Sequence, residues 1–277
     1  MTSSVGTRGE AMTTTTGTAL EASGLRLGYP GAGIVVPDLD LSVAAGTVTT
    51  IVGPNGCGKS TVLRALARLL KPSAGTVRLF GEDLHRMNGK AVARRLAVLP
   101  QSPLAPAGIT VRELVLRGRN PHQNILRQWS AADADITADC LRITGLEGLG
   151  HRVVQELSGG QRQRAWLAMV LAQQAEVLVL DEPTTFLDLT YQLEVLHLVR
   201  TLNREQGRTV LMVLHDLNLA ARYSDRLVLM SDGAVVADGA PAEVLTPELL
   251  RSTFRLEATV IADPATGGPL VVPKDLG

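Results

Sequence analysis

The chain has 277 residues, with 27 Lys plus Arg against 27 Asp plus Glu and a formal charge of zero. That balance excludes a general nucleic-acid binder, which needs a net basic surface, and 3% aromatics leaves little for base stacking. Hydrophobic residues at 45% supply a sizeable core, while two cysteines make no disulfide framework and match cytosolic usage.

Residues 1–19 are rich in Thr, Ser, Gly and Ala and read as a loose tail, without the apolar run and cleavage site of a secretion signal. Leu20–Tyr29 reads as strand; Leu39, Leu41 and Val43 alternate with polar neighbours as a half-buried strand, and the β-branched run Thr47–Val52 as a buried one. Past Lys59, apolar residues at 62, 63, 66, 69 and 70 keep a helical period that stops at Lys71-Pro72-Ser73. Thr76–Phe80 and Leu96–Pro100 are short strands. From Thr110 to Gly148 the texture turns helical: Thr110 and Glu113 have capping-box spacing, and Ala131–Leu141 forms a second helix. The pattern then predicts a helix within Leu157–Ala175, a strand at Val177–Leu180, a helix at Tyr191–Gln206 and a strand at Thr209–Leu214. From Pro241 it predicts a helix and a terminal hairpin. Strand alternating with helix is the grammar of a mostly parallel sheet covered on both faces. No apolar run approaches the about 18 residues of a membrane span, so the expectation is a soluble cytoplasmic protein that can dock on a membrane-embedded partner.

Gly53-Pro54-Asn55-Gly56-Cys57-Gly58-Lys59-Ser60-Thr61 satisfies G-x-x-x-x-G-K-S between a strand and a helix. Small residues let backbone N–H groups wrap phosphates, and the helix that follows turns its positive end to the anion. Lys59 is expected to reach the β- and γ-phosphates and the Ser60 hydroxyl to ligate Mg²⁺. Val177-Leu178-Val179-Leu180-Asp181-Glu182 supplies acids at the end of a buried strand. Asp181 is the metal-side carboxylate, and Glu182 is placed to polarise an attacking water as general base.

Leu157-Ser158-Gly159-Gly160-Gln161 resembles the signature motif of ABC-type ATPases, whose other motifs stand here in the expected order. The resemblance implies an α/β fold: a P-loop NTPase core with a RecA-like, mostly parallel sheet and an antiparallel β subdomain, plus a helical ABC subdomain. It implies one ABC ATPase domain over 20–273, with core 20–101 and 165–273 and helical subdomain 102–164. In such proteins two nucleotide-binding domains pack head to tail. Ser158, Gly159, Gly160 and Gln161 would then close over ATP held by a second copy.

Further roles are carried over by resemblance. Tyr29 is similar to the aromatic that stacks on adenine, although a lone Tyr serves equally as a surface or hinge residue. Gln101 resembles the Q-loop glutamine, a carbonyl for Mg²⁺ or water. Asp188 resembles the D-loop aspartate, an N-cap for the following helix being the rival. His215 resembles the switch histidine that touches the γ-phosphate, with a hydrogen-bonded structural histidine as the alternative, and Asp216 reads as structural. Arg162 and Arg164 either steer a partner's phosphates or face solvent. Cys57, in the loop, is expected to be partly exposed, so that its alkylation blocks nucleotide binding; Cys140 reads as a core filler. His85, His122, His151 and His197 lack metal-ligand spacing, so zinc is not expected.

Glu113–His122, Gln161–Trp166, Thr184–Asp188, Asn203–Gly207 and His215–Tyr223, with Trp129-Ser130, resemble ATPase subunits of iron–siderophore and cobalamin importers over about residues 20–273. Asn120 departs from the tyrosine usual in that family's Gly-Arg-Tyr-Pro stretch. The resemblance implies Mg-dependent ATP hydrolysis powering import of ferric siderophore, with cobalamin or haem as alternative cargo. The implied partners are permease subunits on the cytoplasmic face of the cell membrane, met through residues 102–150, and a second copy of the chain. An extracytoplasmic siderophore-binding protein is coupled indirectly, and no nucleic acid is expected. A repair or chromosome-organising ATPase would carry a heptad run between the motifs, and Gly89 to Leu157 has none. A translation factor would hold two cassettes, and a non-catalytic sensor would lack Glu182 or the signature.

Overall fold

The computed structural model describes residues 17–31, 33–101, 103–123, 130–185 and 187–274. The first half of the chain forms β1 (Thr18–Tyr29), β2 (Gly33–Val36), β3 (Leu41–Ala44), β4 (Val48–Val52), α1 (Lys59–Leu66), β5 (Ala74–Leu79), β6 (Glu82–Asp83), α2 (Gly89–Arg95), β7 (Leu96–Leu99), α3 (Val111–Arg117) and α4 (Ala131–Ile143). The second half forms α5 (Gly159–Ala172), β8 (Val177–Asp181), α6 (Leu189–Gln206), β9 (Thr209–Val213), α7 (Leu217–Tyr223), β10 (Arg226–Ser231), β11 (Ala234–Gly239), α8 (Pro241–Val244), α9 (Pro247–Phe254), β12 (Ala258–Ala262) and β13 (Pro269–Pro273).

The main sheet has the order β11-β10-β4-β9-β8-β7. It is parallel from β10 to β7, with β11 antiparallel at one edge. Its central strands VTTIV, VLVLD and TVLMV are buried at every residue, because both faces are covered and a strand presents alternate side chains to each. Leu178 and Leu180 pack with α5 and α6 through Leu167 and Leu196. Val177 and Val179 face the opposite way, onto Val62 and Leu63 of α1 and Leu20, Leu25 and Leu79 of the second sheet. That second sheet is antiparallel, order β2-β1-β5-β6 with β3 also on β1, so α1 lies between two sheets. The β12-β13 pair is the expected terminal hairpin, packed through Asn218 of α7 onto Val271.

The first strand begins earlier than the sequence pattern predicts. Thr18 pairs with Ala44 and Ala19 is fully buried; the rest of the expected tail, 1–16, lies outside the described residues, as does Trp129. The helix expected within 157–175 is shorter because Ser158 caps it at one end and Gln174, at φ 53°, turns left-handed beyond the other. It also runs unbroken through the expected boundary between residues 164 and 165. α5 carries α3 and α4 along its flank, and a Cβ on Gly118 would stand 2.2 Å from the Met169 carbonyl oxygen, so glycine is what lets α3 end against α5.

Arg119 clamps this helical part. Its guanidinium is buried and bonds Asp133 Oδ1 at 2.9 Å, the Ala172 carbonyl at 2.6 Å and Gln174 Oε1 at 2.9 Å. Arg119 holds the Asp133 carboxyl below the usual carboxylate range, against the opposing effect of its burial. Removing the cation leaves that carboxylate without a counter-charge, held by the Ser130 hydroxyl and N–H alone among the described residues. Arg119→Met is therefore expected to cost about 3 kcal/mol of stability at pH 7. Because the folded pKa of Asp133 is depressed, the pair's contribution is complete above the unfolded value of about 3.9 and is lost as pH falls through the lower folded one. Denaturant titrations of wild type and variant should converge in acid; a constant gap from pH 7 to pH 2 contradicts the assignment.

Candidate active site

Ile51 of β4 pairs with Val213 of β9, and Val213 pairs with Asp181 of β8. The three strands therefore end at one level, and the residues just beyond them meet at the carboxyl edge of the sheet, where open α/β sheets bind ligands. From β4 comes the loop Gly53–Thr61. A Cβ on Gly53 would fall 2.2 Å from the Met230 carbonyl oxygen of β10, and Gly58, at φ 103°, forms the N-cap of α1. The turn thus needs glycine at both ends.

Lys59 is buried; its ammonium donates to the carbonyls of Gly53 at 2.9 Å and Pro54 at 2.7 Å, spanning the loop. The Ser60 hydroxyl donates to Asp181 Oδ1 at 2.9 Å. Burial pushes the Asp181 carboxyl up, the Ser60 hydrogen bond partly offsets this, and the neighbouring Glu182 carboxylate pushes it further up. A hydroxyl and a desolvated carboxylate side by side are an all-oxygen donor set, which suits a hard divalent cation.

Glu182 sits at φ 52°, in the left-handed region. Its Oε1 lies 2.7 Å from His215 Nε2, while Oε2 accepts from Gln101 Nε2 at 2.6 Å and Thr185 Oγ1 at 3.0 Å. Burial raises this carboxyl, but the hydrogen bonds from His215, Thr185 and Gln101 outweigh it and leave the pKa below the ordinary glutamate value. At neutral pH Glu182 is a carboxylate, able to accept a proton.

Residues 55, 56 and 58–61 of the loop, with Glu182, His215 and Val35 of β2, line a cleft of about 170 Å³. His215 reaches the cleft wall, as its place after β9 predicts, with its Nε2 on Glu182. Tyr29 stands beside the end of the motif, its hydroxyl 3.4 Å from Thr61 Oγ1 and accepting from Arg64 at 3.4 Å.

Other expected site residues lie apart from the cleft. Ser158 and Gly159 are exposed at the start of α5, with Gly160 and Gln161 half-buried. Ser158 Oγ accepts from the Gln161 N–H at 3.3 Å and Gln161 Oε1 from the Ser158 N–H at 3.1 Å, a capping box. None of the four lines the cleft of its own chain. Asp188 is exposed and caps α6, accepting from the Tyr191 N–H at 3.1 Å, and Asp216 caps α7 through the Leu219 N–H at 2.9 Å. Arg162 donates to the Gln155 and Leu157 carbonyls, and Arg164 lies over the Tyr191 ring, 5.1 Å from its centroid.

Cys57 corrects an expectation. The residue is 6% exposed and belongs to the apolar cluster between the sheets, and burial pushes the thiol up. The loop turns its backbone to the cleft and this side chain to the core. Cys140 is likewise buried, its thiol pushed up to about 11. Two participants were not foreseen. Thr185 could have been found from a hydroxyl three residues beyond Glu182, the spacing of a turn; Val35 carries no such signal.

The glycine loop, the Ser60–Asp181 pair and the anionic Glu182 together define a P-loop nucleoside-triphosphatase site. The chain belongs to the ABC transporter family, whose sequence model matches residues 36–185, and is an ABC-type ATPase. It is 52% identical over 256 residues to the achromobactin transport ATP-binding protein CbrD of Dickeya dadantii, which covers 92% of this chain and 95% of that one. It is 47% identical over 254 residues to the ferric enterobactin transport ATP-binding protein FepC of Escherichia coli, with 92% and 93% covered. The fold superposes with a TM-score of 0.73 at 25% identity on the dimeric post-hydrolysis structure of the ATP-binding cassette MJ0796 bound to ADP and Pi, covering 80% of this chain and 98% of that one. Among the described residues no helix is long and apolar enough to cross a membrane.

The thiol placement is open to test. Cys57 and Cys140 of the folded protein are expected to react with a thiol-specific reagent at least about a hundredfold more slowly than in denaturant, as buried thiols of raised pKa do. Rapid titration of one native thiol contradicts the burial of Cys57.

Proposed function

We propose that the chain powers import of ferric siderophore through a membrane permease. The observation that carries hydrolysis is the Glu182 carboxylate held by three donors beside the P-loop. Kinship to siderophore transport ATPases supports the cargo. In this reading residues 18–273 form one ATPase domain, with helical subdomain 102–164 facing the permease at the cytoplasmic face of the membrane. Two copies close around two ATP molecules, and an extracytoplasmic siderophore-binding protein delivers cargo from the other side.

The loop N–H groups of Gly53, Asn55, Gly56, Cys57 and Gly58 to Thr61, with Pro54 shaping the turn, and the Lys59 ammonium bind the β- and γ-phosphates, and Tyr29 packs on the base. Ser60, Asp181 and Gln101 would hold Mg²⁺, which would supply positive charge against the phosphate oxygens. Glu182 takes a proton from water as the water oxygen attacks the γ-phosphorus. The bond to the β–γ bridging oxygen breaks, giving ADP and phosphate. His215 orients the glutamate and lies at the γ-phosphate side. Ser158, Gly159, Gly160 and Gln161 of the second copy close the far side, where amides and a hydroxyl at a helix start offset the developing charge, and Asp188 orders the interface by capping α6.

Replacing the base with its amide (Glu182→Gln) should leave ATP binding within about threefold while turnover falls by about a thousandfold; wild-type turnover contradicts the role. Lys59→Ala should weaken ATP binding by at least about tenfold in an equilibrium titration. Turnover by the isolated subunit should rise more steeply than linearly with protein concentration, and strict proportionality down to nanomolar contradicts the dimer requirement. For the cargo, the permease that co-purifies should be of the iron–siderophore class, identified by mass spectrometry and by siderophore-borne iron uptake; a permease for another cargo contradicts that part.

A further inference from the structure

Glu182 is held in the left-handed region at φ 52°, a conformation that costs a residue with a Cβ about 1–2 kcal/mol and persists only where neighbours enforce it. Three side chains donate to its carboxylate. Gln101 comes from the loop after β7 and His215 from the end of β9, so both belong to other elements. Thr185 alone lies in the same turn as the glutamate. Its N–H donates to the Glu182 carbonyl at 3.2 Å and its Oγ1 to Glu182 Oε2 at 3.0 Å. One residue thus fixes both the backbone and the carboxylate of Glu182. The turn is tied from outside as well, since Gln163 of α5 donates to the Pro183 carbonyl at 3.1 Å.

The two carboxylate oxygens are unequally used. Oε2 accepts from both Gln101 and Thr185, which fills its two lone pairs, whereas Oε1 has a single partner among the described residues, His215. One acceptor position on Oε1 remains for a proton from water, on the oxygen that faces the cleft-lining His215.

We propose that Thr185 is a positioning residue for hydrolysis: its hydroxyl occupies Glu182 Oε2 and so makes Oε1 the oxygen that takes the water proton. This rests on Glu182 being the base. Gln101 and His215 belong to other elements, whereas Thr185 is built into the same turn as the glutamate and keeps its place on Oε2.

Valine matches threonine in shape and lacks the hydroxyl, so the test compares Thr185→Val with Thr185→Ser. Thr185→Val should lower kcat about tenfold, the usual scale of one lost hydrogen bond to a charged group, with the KM for ATP and the melting temperature little changed. Thr185→Ser should recover kcat to within about threefold of wild type. In the Glu182→Gln background, Thr185→Val should cause no further loss of the residual turnover, since the two act through one group. Wild-type kcat in Thr185→Val overturns the proposal, as does an equal loss in Thr185→Ser or a full additional loss in the double variant. If Thr185→Val is too unstable to assay, Thr185→Ala, which also lacks the hydroxyl, takes its place in each comparison. Should Glu182→Gln itself turn over normally, the base assignment fails; should Glu182→Gln be inactive and Thr185→Val fully active, this inference alone fails.

Discussion

The register that sets Ile51 against Val213 and Val213 against Asp181 makes β4, β9 and β8 end together, and the chemistry of the protein follows from that alignment. It brings a phosphate-wrapping loop, two carboxylates and a histidine from widely separated parts of the sequence to one edge. It also sets the electrostatic problem, because Asp181 and Glu182 are 2% and 7% exposed and buried charge is tolerated only when bonded. The two solve it differently. Among the described residues the Asp181 carboxylate is bound only by the Ser60 hydroxyl and is pushed up, which suits a group that meets a cation. Glu182 receives three donors and is pushed down, which suits a base that must be ionised before the reaction starts.

The same chain keeps its signature residues away from that edge. Ser158 is committed to the start of α5, where its capping box satisfies amides that a helix end otherwise leaves bare, and its outer face is open to solvent. The proposed dimer gives this exposed face a purpose, because a two-fold operation lets one copy's helix start complete the other's cleft. α5 also connects the signature to its own hydrolytic turn through Gln163 and Pro183, and it carries the helical part, which Arg119 clamps across α3, α4 and the α5 end.

Much of this was legible in the sequence for physical reasons. The buried strands read clearly because VLVLD and TVLMV lie between two covered faces and must be apolar throughout, and the Thr110–Glu113 box encodes its own hydrogen bonds. The P-loop is legible because Gly53 and Gly58 answer steric demands that no other residue meets. Short elements such as β2, α2 and α7 escaped, since four to seven residues hold too few periods to stand out. The direction of a loop side chain is set by packing, which is why Cys57 turns inward against expectation. The hydrogen bonds around Glu182 join residues 101, 185 and 215 through the fold, and sequence order alone does not reveal which oxygen each one meets.

In the proposed dimer the cleft at residues 53–61 is one half of a site whose other half is the exposed helix start at Ser158 of a second copy. The decisive experiment is a structure of the Glu182→Gln protein with ATP. It should hold two copies related by a two-fold axis, each triphosphate gripped by Lys59 of one copy and within hydrogen-bonding distance of Ser158 of the other. A closed complex in which every nucleotide is enclosed by a single chain would contradict that dimer.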